Sequence, residues 1–392
     1  MKLGQQSLTG TFPKSPSEKV TSGPIELVKC YGKSSCGLVQ LKQSYSLDEM
    51  YGMNYGYRSS LNSSMVNHLR DKVQKIIDLN ILKHEDLIID IGSNDGTSLK
   101  AYPQNKYKLL GIDPTGIKFK SFYPDSISLI SDFFSSEIVS KFSAKRAKII
   151  TSFSMFYDLE DPIFFAKEID VSLADDGLWI FEQSYLPQML KTNSFDTICH
   201  EHLEFYSLKQ IDWILSRANL KVIDVEFNNI NGGSFSVTAA KINSHYKPKT
   251  KYLDKIRNDE LVLGLDSLDV FNNFKLNVDK NCKLLMKFLN EAKVKNESVY
   301  GLGASTKGNV LLQYCGIDST LLKAIGDINE DKYSSYTPGT LIPLMSEEEV
   351  LKRNPDYLLI LPWHFKDFFL SLLSMKGRTL IFPLPQFEVI KL

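Results

Sequence analysis

Leu87-Ile-Ile-Asp-Ile-Gly-Ser-Asn-Asp-Gly-Thr97 reads as an apolar strand that runs into a glycine turn and then a helix. A continuous apolar run suits a parallel strand covered on both faces. Gly92 and Gly96 let the backbone turn sharply and approach a ligand without a Cβ clash. Outward from this stretch, Lys108–Ile112, Ser126–Ile130, Lys148–Thr151 and Leu178–Phe181 are further strands, with helical stretches between them, notably Pro162–Leu173. This alternation predicts an α/β fold, a doubly wound parallel sheet with helices on both faces. Val222–Phe227 and Ser234–Lys241, joined through Asn-Gly-Gly at 231–233, close the sheet with a hairpin. Upstream, Ser60–Leu79 places Met65, Val66, Leu69, Val73, Ile76 and Ile77 on one helical face. Residues 266–294 form one long helix, and a second α/β region follows in Ser298–Leu302, Leu322–Ile325, Tyr357–Leu361 and Thr379–Phe382. The expected division is a small loop-rich module at 1–60, an α/β domain at 61–245, and a linker helix with a Rossmann-like domain at 246–392.

The 392 residues exceed one ordinary core. With 43% hydrophobic and 23% charged residues, the composition is that of a globular protein. Its 46 basic and 46 acidic side chains cancel, so composition predicts neither a nucleic acid nor a membrane partner. No stretch of about 18 apolar residues could span a bilayer, and Met-Lys-Leu-Gly-Gln-Gln carries no apolar signal core. Five scattered cysteines fit a reducing cytoplasm better than a disulfide framework. A monomer or small homo-oligomer is expected.

The Leu87–Thr97 turn resembles the cofactor motif of class I S-adenosylmethionine-dependent methyltransferases, in which it faces the methionine part of the cofactor. It departs from G-x-G-x-x-G, which would place a diphosphate on the helix N-terminus. Asp113 ends the next strand, 23 residues after Asp90, where an acid can take both ribose hydroxyls. Asp132 and Phe133 follow the third strand, where this fold contacts adenine. Asp90, Gly92, Asn94, Gly96, Asp113, Asp132 and Phe133 are therefore the expected cofactor residues. Asp90 or Asp113 alone could equally be a cap or a turn residue. Their place at the ends of successive strands favours a site.

Phe195-Asp-Thr-Ile-Cys-His-Glu-His-Leu-Glu-Phe-Tyr-Ser207 resembles the signature of the sugar C-methyltransferases that act on nucleotide-linked 4-keto-6-deoxyhexoses. Gly37–Leu41, Tyr55–Ser60, Asp90–Gly96, Asn231–Ser234, Tyr300–Asn309, Tyr336–Thr340 and Leu361–His364 match the same family in order. The resemblance implies an N-terminal zinc-binding module, a central methyltransferase domain and a C-terminal domain that helps hold the nucleotide-sugar. It implies deoxysugar biosynthesis: methylation of C3 beside the C4 ketone, through an enolate.

Carbon must be deprotonated to become a nucleophile, and His suits a base working near neutrality. The resemblance points to His202 as that base, with Glu201 orienting it. By the same resemblance, Tyr55 and Tyr57 match a Tyr-x-Tyr motif that places a phenol for the enolate oxygen; the alternative is that these loop aromatics only cover a core. His200 and Asn231 are expected beside the sugar. On a strand His200 and His202 would face together, and one could simply be packed. His-x-His lacks further ligands at metal spacing, so no metal is expected there. Cys199 stands where the family often has Tyr, and a thiol is a weaker hydrogen-bond donor. The family's zinc module uses two cysteine pairs, whereas only Cys30 and Cys36 are present. Either zinc is absent here or the native chain begins upstream.

Gly301-Leu-Gly-Ala-Ser-Thr-Lys-Gly-Asn309 follows a strand and opens a helix. Gly303, Ser305, Lys307 and Asn309 would suit a phosphate there, although the lysine is misplaced for a P-loop. A purely structural glycine turn is the alternative. Other readings are a sugar O- or N-methyltransferase, an NAD-dependent nucleotide-sugar oxidoreductase or epimerase, and a non-catalytic binder.

Overall fold

The computed structural model describes residues 1–46, 50 and 57–392. Leu87–Ile91 is buried throughout, inside a seven-stranded sheet. Across it the strands are Leu220–Asn228, Ser234–Lys241, Leu173–Ser184, Ala147–Phe153, Leu87–Ile91, Lys108–Ile112 and Ile127–Ile130. The last five are mutually parallel. The expected hairpin joins them antiparallel, its second strand lying against Leu173–Ser184. This is the class I methyltransferase sheet. Asp90 sits level with Gly111 and Thr151, so the predicted cofactor residues gather at the carboxyl end.

Helix Ser63–Asp78 begins where the Asn62 side chain accepts the Ser64 and Met65 amides. It buries Val73 and Ile76 with Ile88, Leu109, Ile149 and Leu178 on one face of the sheet. Each such side chain stabilises by roughly 1.5–3 kcal/mol. Helices Pro162–Ser172 and Leu208–Ser216 cover the opposite face through Phe165, Ile169, Ile211 and Leu215. Lys72 bridges Glu182 and Glu226 at 3.1 and 2.9 Å, and His68 reaches Glu182 at 2.6 Å.

The N-terminal segment contains more strand than its loop-rich sequence suggests. Lys2–Ser7, Ser22–Lys29 and Val39–Leu41 form an antiparallel sheet whose fourth strand, Glu204–Phe205, comes from the His-Glu-His segment. Alternating Ile25 and Leu27 face inward over too short a run to stand out in the sequence. The C-terminal sheet orders Leu344–Ser346, Ile325–Asp327, Val299–Leu302, Tyr357–Ile360, Thr379–Phe382 and Glu388–Lys391, the last antiparallel. Its two edge strands were not anticipated, being only three and four residues long.

One hydrophobic core joins the N-terminal sheet, the Phe195–Phe205 segment and the C-terminal sheet. Helix Asp269–Val294 contributes Phe274, Val278, Leu285 and Leu289 to it. The two outer parts of the chain therefore share one packed core. Contrary to the expectation of unpaired thiols, Cys282 and Cys315 form a disulfide. They are 33 residues apart in sequence, but the fold brings their Cα atoms to 5.7 Å, within bridging range. No helix among the described residues is long and apolar enough to cross a membrane.

Candidate active site

The glycine turn has the conformation its sequence requires. Gly92, Asn94 and Gly96 have φ of 70°, 50° and 72°, the left-handed region where a Cβ is strained. At Gly96 a Cβ would also meet the Tyr123 ring at 3.0 Å. The next strand holds the turn in place. Asp113 accepts the Asn94 amide at 2.7 Å through one oxygen, and the Thr115 amide and hydroxyl at 2.7 and 2.5 Å through the other. Asp90 accepts the Thr151 hydroxyl at 2.5 Å. Burial pushes its carboxyl up to about 7, against that hydrogen bond and with a further push from Asp113. Asp132 and Phe133 lie exposed beyond the third strand, with Asp132 accepting the Phe133 amide.

The Tyr57–Ser60 segment is fastened to this turn. Asn94 accepts the Ser59 amide at 3.0 Å and donates to the Tyr57 carbonyl at 3.2 Å, while Asp95 accepts the Ser60 amide at 3.1 Å. Tyr57 is 45% exposed and opens onto a cleft of about 450 Å³. Phe12, Lys14, Arg58, Lys118, Phe122 and Lys332 also line the cleft, together with the acids Glu18 and Asp331. Its rings and cations can take a planar base and an anionic group. Tyr55 falls outside the described residues.

The two histidines point to different places. The expectation of a shared strand face fails because Cys199–His202 is a turn, closed by the His202 amide on the Cys199 carbonyl at 3.2 Å. His200 is fully buried edge-on against Tyr45, 4.6 Å between ring centroids, and neither ring nitrogen has a hydrogen-bond partner among the described residues. Burial lowers it to about 4. The backbones of Gly23 and Gln6 draw it back only partly, since neither reaches hydrogen-bond geometry.

His202 turns to the methyltransferase sheet, edge-on to Tyr157 at 4.4 Å. Its Nδ1 lies 2.8 Å from the Thr197 carbonyl, which can only accept. The proton therefore sits on Nδ1, and Nε2 keeps its lone pair as the basic atom. Burial lowers His202 to about 4, the Thr197 carbonyl opposes this, and the Lys307 charge adds to it. His202 is thus far from the near-neutral value anticipated for a base. Glu201 accepts from the Thr9 hydroxyl at 3.2 Å, and burial raises its carboxyl. Cys199 is fully buried, its thiol against Glu201, and burial raises it well above the usual range.

The C-terminal loop meets this segment rather than standing apart. Ser305 caps helix Thr306–Cys315 by accepting the Gly308 amide at 3.1 Å. Asn309 donates to the Thr9 carbonyl at 2.8 Å. Gly303 has φ 81°, and a Cβ there would strike Pro362 at 2.6 Å. Lys307 donates to the Asn231 carbonyl, and Asn231 itself has φ 55°. These four residues are thus engaged with the protein, a use the phosphate expectation did not foresee.

Sequence reasoning missed Asp196, Thr197, Thr9 and Tyr157. Asp196 is buried and accepts the Trp363 indole at 2.7 Å. Its other oxygen has no partner. Asp196 and Thr197 stand inside the Phe195–Ser207 motif, whereas Thr9 and Tyr157 lie in no motif and carried no sequence signal. Among the described residues no group of three or more His, Cys, Asp or Glu side chains could hold a metal ion.

Residues 62–225 match the methyltransferase domain family, and residues 229–385 match the C-methyltransferase C-terminal domain. C-methyltransferase NovU of Streptomyces niveus is 26% identical over 373 residues, 94% of this chain and 87% of that protein. Among solved structures, magnesium protoporphyrin IX methyltransferase (ChlM) from Synechocystis PCC 6803 with bound SAH is 11% identical. It covers 46% of this chain and 88% of its own, with a TM-score of 0.36. An S-adenosylmethionine-dependent methyltransferase from Clostridium acetobutylicum ATCC 824 is 12% identical, over 45% of this chain and 92% of its own, with a TM-score of 0.34.

Proposed function

We propose that this chain, an S-adenosylmethionine-dependent C-methyltransferase by the two domains it carries, methylates C3 of a nucleotide-linked 4-keto-6-deoxyhexose. The observation that carries the reading is His202, half-buried, with Nδ1 committed to the Thr197 carbonyl and Nε2 left as the base. Methylation of oxygen or nitrogen needs no base for a C–H bond. The sugar follows from the ordered motif resemblance, since the curated relative's name speaks only of methylation of carbon.

The left-handed turn at Gly92–Gly96 and the carboxyls of Asp90 and Asp113 suit a cofactor with a methionine part, a ribose and a positive charge. When bound, S-adenosylmethionine supplies an electrophilic methyl group. His202 Nε2 takes the C3 proton, and the pair left on carbon delocalises onto the C4 oxygen. Glu201, held by Thr9, steadies the turn that carries the base. The cleft beside Tyr57, with Lys14, Arg58 and Lys118, receives the nucleotide diphosphate. His200, buried and packed on Tyr45, is read as a packing residue.

The test is deuterium exchange at C3 of dTDP-4-keto-6-deoxyglucose and related keto sugars, incubated with enzyme and S-adenosylhomocysteine in heavy water. Exchange by the native protein that His202→Asn abolishes is the expected result. If the native protein binds S-adenosylmethionine yet exchanges no proton in any keto sugar, the reading fails.

A further inference from the structure

Lys307 is a half-buried cation that the chemistry above leaves unused; desolvation lowers its ammonium and Asp196 opposes that. It is the second residue of helix Thr306–Cys315, and its side chain crosses from the C-terminal unit to the Asn231 carbonyl of the methyltransferase hairpin. Among the described residues that carbonyl is the only hydrogen-bond partner given to Nζ. Two of its three N–H donors are thus unclaimed.

A chain of contacts links the ammonium to His202. Thr197 holds His202, and its neighbour Asp196 holds Trp363. The Trp363 ring lies 3.6 Å from where a Cβ on Gly232 would stand, and the residue before that glycine is Asn231, which holds Lys307. Four titratable groups face the ammonium: Asp196, whose charge supports it, and Cys199, His202 and His364. Burial and the Lys307 charge together bring His364 to about 3. A phosphate ligand wants a free cation, whereas this one is half-buried and spans from the C-terminal unit to the Asn231 carbonyl, where its charge acts on His202.

We propose that Lys307 is a catalytic residue whose ammonium donates a hydrogen bond to the carbonyl oxygen that becomes negative when His202 takes the neighbouring carbon's proton. This rests on the enolate reading above. In the step the C–H bond breaks, the proton passes to His202 Nε2, and the electron pair moves onto the oxygen. Lys307 keeps its own protons, and the carbonyl re-forms when the carbon gains the methyl group.

One charge then serves two ends. It helps keep His202 neutral and ready at pH 7, which makes it a weak base. At the enolate oxygen the same charge acidifies the C–H bond to match.

The experiment is the heavy-water exchange with dTDP-4-keto-6-deoxyglucose and S-adenosylhomocysteine, run on native protein, Lys307→Met and Lys307→Arg across pH. Removing one oxyanion donor lowers the rate by roughly 100–1000-fold, so Lys307→Met should lose that much exchange with S-adenosylmethionine affinity intact. Its acid limb should also move to higher pH, because the cation no longer opposes protonation of His202. Lys307→Arg, which keeps the charge, should recover much of the rate. If Lys307→Met does not fold, Lys307→Gln carries the same expectation and keeps a donor for the Asn231 carbonyl.

Native-level exchange in Lys307→Met would overturn the proposal. So would a loss that saturating sugar fully restores, which would make Lys307 a substrate-binding group only. Either result leaves the enolate reading standing. No exchange by the native protein defeats that reading and this proposal together.

Discussion

His200→Phe should make the protein more resistant to acid while leaving methyl transfer unchanged. The imidazole is fully buried, with both nitrogens unpartnered, and titrates near 4 in the folded protein against 6.5 when exposed. Its folded pKa is the lower of the two, so between those values the unfolded chain binds more protons. Stability is then present above about 6.5 and is lost as pH falls towards 4. For that pair of values the loss between pH 7 and pH 5 is about 2 kcal/mol. Phenylalanine keeps the planar ring against Tyr45 and cannot take up a proton in the unfolded chain. Contributions from His202 and His364 are common to both proteins and cancel in the difference. Urea denaturation at pH 7 and pH 5, at constant ionic strength, measures it directly. The variant should lose about 2 kcal/mol less than the native protein over that interval. An equal loss in both would refute the burial argument, and a tenfold rise in the sugar KM would return His200 to the substrate site.

Asp113→Ala removes the acceptor for the Asn94 and Thr115 donors and the carboxylate proposed for the cofactor ribose. Hydrogen bonds to a charged group are worth about 1.5–3 kcal/mol, so titration calorimetry should show S-adenosylmethionine binding weakened roughly 10–150-fold; an unchanged Kd would take Asp113 out of the site. The acid limb of kcat/KM should lie near the His202 value of about 4, leaving the rate flat from pH 5 to 7, and a limb near 6.5 would mean that the base is not desolvated. Trp363→Phe strips the buried Asp196 carboxyl of its indole partner and should cost about 1–3 kcal/mol in denaturation. Lys72→Met, which leaves Glu182 and Glu226 without their shared cation, should cost about 3–5 kcal/mol, and a neutral result would show the cluster to be solvated.

The sequence by itself determined whatever local chain chemistry controls. Leu87–Ile91, Lys108–Ile112, Ser234–Lys241 and Thr379–Phe382 have the bounds their apolar runs predict. Gly92 and Gly96 adopt the left-handed turn for which glycine is suited. Such preferences act over a few residues, so they survive in the order of the letters. Tertiary structure alone decided the rest. It set Glu204–Phe205 into the N-terminal sheet, Asn309 on Thr9, Trp363 on Asp196 and Lys307 on Asn231. These partners are hundreds or scores of residues apart, and no periodicity records a contact that exists only once the shared core has closed. His200 and His202 show the divide most directly. Two residues apart in one motif, they are separated by a turn that sends one ring into packing and leaves the other with a free basic nitrogen.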